Sequence, residues 1–90
     1  MYYVYILYSG KDNQLYSGYT TDLKKRVEKH KNGFIKATKH RKPLKLIYYE
    51  AYYLESDAKR REKYLKGGKG RSELKIQLKD LLEKLGYKNL

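Results

Sequence analysis

The spacing of apolar positions changes rhythm along the chain. Tyr2 to Tyr8 is an unbroken aromatic and β-branched run, Gln14 to Tyr19 is a shorter one, and Leu44 to Glu50 returns to the same composition. Runs of this length and type predict strands. Alternation places Val4 and Ile6 on one face of the first strand and Tyr3, Tyr5 and Leu7 on the other. Ser9 to Asn13 carries Gly, Asp and Asn, which suit a turn, so the first two strands are expected to form an antiparallel hairpin. Gly18 lies inside the second strand, where glycine marks a bulge or a close approach of the backbone to another group.

Elsewhere the period is helical. Thr20-Thr21-Asp22 is a helix-start signal, and a helix is expected to about Lys31 with Gly33 just beyond it. Leu23, Arg26, Val27 and His30 share one face. Ser56-Asp57 is expected to cap a second helix that stops at Gly67-Gly68, with Ala58, Arg61, Glu62 and Leu65 on one face. Ser72 is expected to open a third, whose stripe is Leu74, Leu78, Leu81, Leu82 and Leu85 and whose end is Gly86. The order β-β-α-β-α-α predicts a small α+β domain over residues 1–90, with a three-stranded, mainly antiparallel sheet flanked by helices. A chain of this length buries only about 60–65% of its unfolded surface, so the core is modest.

Three side chains do not fit this pattern. Arg26 and His30 fall on or beside the apolar stripe of the first helix, where a charge is costly without a partner. An ion pair or a phosphate clamp would justify Arg26, because a guanidinium bonds two oxygens at once. Glu62 lies beside Ala58 and Leu65 in a stretch with seven basic residues from Lys59 to Arg71. It could pair with Arg26 or Arg61, or ligate a hard cation in an otherwise electropositive cleft.

Charge sharpens the picture. The formal net charge is +12, from 22 basic and 10 acidic side chains. Between Lys24 and Lys45 there are ten Lys or Arg residues and one acid, Glu28. Such concentration points to a polyanion. Lys24 and Lys25, the loop residues Lys36, Lys39, His40, Arg41 and Lys42, and Arg61 are expected to follow a phosphate backbone. There is no cysteine, which excludes disulfides and thiolate metal sites. No apolar run reaches membrane-spanning length, and the apolar start lacks the basic n-region of a signal peptide. The expected protein is soluble, cytoplasmic and monomeric. Twelve tyrosines stand against one Phe and no Trp; most suit strands, where the ring packs and the hydroxyl reaches water or a partner.

Tyr3-Val4-Tyr5 and Tyr16-Ser17-Gly18, followed by Arg26 and His30 on the next helix and by Glu62 on the helix after the third strand, resemble the signatures of the GIY-YIG nuclease domain in its small stand-alone members. The resemblance spans roughly Met1 to Lys75. It implies metal-dependent hydrolysis of nucleic-acid phosphodiesters, with DNA ahead of RNA as substrate. By position, Tyr5 and Tyr16 would orient or deprotonate the attacking water, and Arg26 would neutralise transition-state charge. His30 would assist proton transfer or contact phosphate, and Glu62 would hold one divalent ion, Mg²⁺ or else Mn²⁺. Tyr3 and Ser17 depart from the family's glycine and isoleucine, and Tyr19 stands where some members carry lysine. Larger members use an asparagine on the last helix; Leu74 is near that position here, and the later Asn89 is at the chain end. Ninety residues leave little surface for base readout, so binding with low sequence specificity, or selective for a flap, branch or nick, is expected. The alternative is a non-cleaving basic nucleic-acid-binding module on the same fold.

Overall fold

The hairpin closes because Asn13 takes a left-handed conformation (φ 57°), which Asn tolerates, and because the buried Ser9 organises the turn around it. Ser9 Oγ accepts from the amides of Lys11 and Asp12, and Ser9 O accepts from Asn13 N at 2.9 Å. In this computed structural model, which describes residues 1–87, the turn joins β1 (Tyr2–Ser9) to β2 (Leu15–Thr20). After α1 (Leu23–Lys31), β3 (Leu44–Tyr52) returns to the free side of β1. The sheet has three antiparallel strands in the order β2-β1-β3, with β1 in the centre. The α+β architecture expected from the sequence is the one observed.

The two faces of β1 divide the interior as the alternation required. Val4, Ile6 and Tyr8 join Leu15, Ala58, Leu65, Leu74, Leu82 and Tyr87 in the larger cluster. Tyr5 and Leu7 face the other way, with Leu44, and are flanked by Tyr16, Leu23 and Leu46. Helix α1 and the loop to β3 cover the second face. The first is covered by α2 (Glu55–Lys66), α3 (Gly68–Gln77) and α4 (Lys79–Lys84).

Helix α1 starts as expected: Asp22 is its N-cap, and its carboxylate accepts from Lys25 N at 3.1 Å. The later helices differ from expectation. Helix α2 begins about two residues earlier than a cap at Ser56 implied, and its N-cap, Leu54, makes no side-chain cap bond. Glu55 and Asp57 instead lie in the first turn, where negative charge suits the helix dipole, and Asp57 pairs with Arg60 at 2.9 Å. The Gly67-Gly68 pair is a corner, and α3 leaves it at Gly68, before Ser72. The corner is tight: a Cβ on Gly70 would lie 2.0 Å from the Tyr64 carbonyl oxygen, so only glycine lets α3 approach the end of α2. The leucine stripe then breaks at Leu78 into α3 and α4, with Leu74 and Leu82 fully buried. Asn89 lies outside the described residues, and among those residues no helix is long and apolar enough to cross a membrane.

Candidate active site

Four of the residues singled out in the sequence meet on the α1 face of the sheet. Tyr5 comes from β1, Tyr16 from β2, and Arg26 and His30 from successive turns of α1. Tyr5 Oη lies 2.8 Å from His30 Nε2, and Arg26 Nε donates to the same phenol oxygen at 3.3 Å. The rings of Tyr5, Tyr16 and His30 form a triangle, with centroids 6.5, 5.6 and 5.3 Å apart. Tyr5 and His30 are fully buried, and Arg26 is half-buried.

Gly18 explains how the Tyr5 ring fits. It pairs with Tyr5 in the regular β1–β2 ladder, so it is not a bulge; the irregularity in the sheet lies between Ile6 and Leu7 against β3. A Cβ on Gly18 would lie 2.3 Å from Tyr5 Cζ and Oη. The close approach expected at this glycine is made by the phenol of Tyr5.

The cluster is electrostatically unusual. Burial, opposed chiefly by the Arg26 hydrogen bond, raises the Tyr5 pKa above its ordinary value, so Tyr5 is a neutral phenol at pH 7. Burial and then the charge of Arg26 push His30 down to about 4, so its ring is neutral too. Arg26 has no carboxylate within ion-pair distance among the described residues. It lines an open cleft of about 360 Å³ with Thr20, Thr21, Asp22, Lys25 and Lys29. Three cations against one capping carboxylate make that cleft a fitting place for phosphate.

Glu62 approaches from α2, on the other side of the sheet. Its partner is Lys66 at 3.2 Å, in place of the Arg26 or Arg61 that the sequence suggested. Burial chiefly raises the Tyr5 phenol and the Glu55 hydrogen bond chiefly raises Tyr19; the charge of Glu62 adds the smallest contribution to each. Among the described residues no three of His, Cys, Asp and Glu gather as a metal cluster. A single half-buried carboxylate, paired with one exposed lysine, supplies one oxygen ligand of the kind a hard ion takes, the rest of the shell being water or substrate oxygens.

Of the cationic track, Lys24, Lys25, Lys36, Lys39, His40 and Lys42 are exposed. Two arginines are committed elsewhere. Arg41 bonds Asp12 at 2.6 Å, and Arg61 grips Glu50 with Nε and Nη2 on the opposite sheet face. Their charges are compensated, which corrects the expectation that both face phosphate. Sequence reasoning missed Lys29, which lines the cleft, and Thr38, whose buried hydroxyl lies 2.6 Å from His30 Nδ1. A buried histidine requires a partner on each nitrogen, but nothing in a loop sequence marks which residue supplies it.

The chain resembles known proteins along most of its length. The profile described as the GIY-YIG catalytic domain matches residues 1–75. A UPF0213 protein of Clostridium perfringens is 46% identical over 67 residues, covering 73% of this chain and 71% of its own. A UPF0213 protein of Staphylococcus saprophyticus is 41% identical over 76 residues, covering 83% and 92%. The solution NMR structure of a UPF0213 protein from Bacillus halodurans superposes with a TM-score of 0.54 at 37% identity, over 88% of this chain and 86% of that one.

Proposed function

Because the chain belongs to the GIY-YIG family, we propose that it is an endonuclease that hydrolyses nucleic-acid phosphodiester bonds with the help of one divalent cation. The observation that carries this reading is the Tyr5 oxygen, to which Arg26 and His30 both bond beside a cationic cleft.

Each residue has a role that its surroundings suit. Tyr5 and Tyr16 orient the attacking water, and Tyr5 accepts its proton. A buried phenol is a poor base while it keeps its own proton, so a neutral His30 against it matters: a bare imidazole nitrogen can take the phenolic proton as the water proton arrives. The N–H groups of Arg26 not used on Tyr5 stabilise charge on the pentacovalent phosphorus, which a fixed cation does most effectively away from bulk water. Glu62 would hold a Mg²⁺ or Mn²⁺ ion, which when bound would supply Lewis-acid stabilisation of the leaving oxygen. Lys24, Lys25, Lys29, Lys36, Lys39, His40 and Lys42 hold the strand by its backbone, which favours low sequence specificity or selection by shape.

One observation favours a second reading, a binding module that does not cut: Lys66 already holds the Glu62 carboxylate. Incubation with plasmid, branched DNA and RNA under Mg²⁺, Mn²⁺ or chelator separates the two. Metal-dependent cutting by the native chain, lost in Glu62→Ala while binding persists, is the expected result. Tight, salt-sensitive binding without cutting under any metal overturns the nuclease reading.

A further inference from the structure

The two nitrogens of His30 each face an oxygen, Tyr5 Oη at 2.8 Å and Thr38 Oγ1 at 2.6 Å. The three residues are fully buried, so solvent does not choose the direction of these bonds. The neutral ring carries one proton, so one nitrogen donates and the other accepts. Either Thr38 donates to Nδ1 and Nε2–H donates to Tyr5, or Tyr5 donates to Nε2 and Nδ1–H donates to Thr38.

Three features select the second direction. A phenol, with a pKa of about 10, is a much stronger donor than an aliphatic hydroxyl, so the better bond is the one from Tyr5 to imidazole. Arg26 Nε–H already donates to the Tyr5 oxygen. A second N–H from His30 would crowd that oxygen and leave the phenolic proton without an acceptor. Donors aligned one way, Arg26 to Tyr5 to His30 to Thr38, also polarise and strengthen one another. The hydrogen left without a partner is then that of Thr38, the weakest donor of the set.

We propose that Thr38 is a positioning residue whose oxygen holds the His30 proton on Nδ1 and thereby turns a bare Nε2 toward the Tyr5 hydroxyl. The catalytic consequence rests on the nuclease reading; the tautomer does not. In the reaction the water oxygen forms the new P–O bond and its proton passes to Tyr5, as the phenolic proton passes to Nε2. The leaving oxygen keeps the electron pair of the broken bond. The imidazolium, with Nδ1–H still on Thr38 and no route of its own to solvent, then hands its extra proton back to Tyr5 as the phenolic proton leaves for a water in the cleft, and the leaving oxygen takes up a proton from water. The titratable groups that face His30 through this step are Tyr5, Tyr16 and Arg26.

The test is long-range ¹H–¹⁵N correlation of the imidazole nitrogens in the ¹⁵N-labelled full chain near neutral pH, without nucleic acid. The chain has two histidines, and a His40→Gln variant assigns them. Native His30 is expected to show protonated Nδ1 and bare Nε2. Thr38→Val, which keeps the shape and deletes the oxygen, is expected to shift the proton toward Nε2 and to slow cleavage at least about tenfold with affinity unchanged. Thr38→Ser is expected to restore both. Native His30 protonated on Nε2, or Thr38→Val retaining the Nδ1–H pattern, overturns the proposal. If Thr38→Val does not fold, the native spectrum still decides. A native chain that never cuts removes the nuclease reading and leaves the tautomer result standing.

Discussion

Two arginines lie among tyrosines on opposite faces of one sheet, in opposite electrical situations. Arg61 bonds Glu50 through Nε at 2.9 Å and Nη2 at 3.0 Å, and Tyr48 and Tyr52 donate to the same carboxylate. Burial alone would raise the Glu50 pKa, but Arg61 and the two phenols outweigh it and hold Glu50 below its ordinary value. Burial and then Glu50 push Tyr52 up to about 12. Every charge in that network has its counterpart, and its work is to fasten α2 to β3. Among the described residues Arg26 bonds one phenol and no carboxylate. A half-buried cation without a paired acid is an incomplete arrangement, which under the proposed nuclease reading a phosphate oxygen would complete. Charge compensation, more than residue type or burial, separates the two arginines.

Exchanging each arginine for alanine should break the likeness. Arg26→Ala is expected to cut turnover by roughly 10²–10³-fold, the size of effect seen when a transition-state donor is removed, with only a small change in nucleic-acid affinity because many other cations hold the backbone. Equal losses in both would reduce Arg26 to one more phosphate contact. Arg61→Ala is expected to leave turnover per folded molecule unchanged and to lower unfolding free energy by on the order of 2 kcal/mol, since it strands the Glu50 carboxylate. Denaturant melts and turnover on the same samples read both.

Acid should sharpen the contrast. The pKa of His30 is lower in the folded chain, about 4, than its ordinary 6.5, so between these values the unfolded state binds more protons. This group's contribution is therefore complete above about pH 6.5 and is lost as pH falls toward 4, by up to about 3 kcal/mol. Melting curves across that window are expected to show this loss in the native chain and to lack it in His30→Gln. Parallel curves would mean that His30 is not held neutral by the fold.

Smaller effects follow from packing and from exposed charge. Gly18→Ala places a methyl against the Tyr5 phenol and should displace it, costing about 1–3 kcal/mol of stability together with activity. Normal activity would mean that the strand yields without moving Tyr5. Lys39→Ala or Lys42→Ala should weaken binding slightly and reduce the salt slope of affinity by about one. An unchanged slope removes that loop from the footprint.

The sequence made the fold and most of the cluster legible where periodicity and chemistry conflicted. Val4 and Ile6 against Tyr5 and Leu7 fixed the two sheet faces, and Arg26 and His30 were conspicuous because they interrupt an apolar stripe. Partnerships were less legible. Glu50 looked like an ordinary strand residue, yet it claims Arg61; Asp12 in the turn claims Arg41; Thr38 reaches His30 from a loop. These pairings depend on how elements pack, which no local pattern records. Helix ends failed for a similar reason: close packing at Gly70 lets α3 begin at Gly68, although Ser72 offered the better capping side chain.

The most direct test of the Tyr5 centre is Tyr5→Phe, because the ring that fills the space over Gly18 remains and only the oxygen shared by Arg26 and His30 is lost. Turnover and affinity would be measured on one substrate with saturating Mg²⁺. A fall in turnover of at least about 10²-fold, with affinity and melting nearly native, is the expected result. Undiminished cutting by the phenylalanine variant would contradict the assignment of Tyr5 as the residue that takes the proton from water.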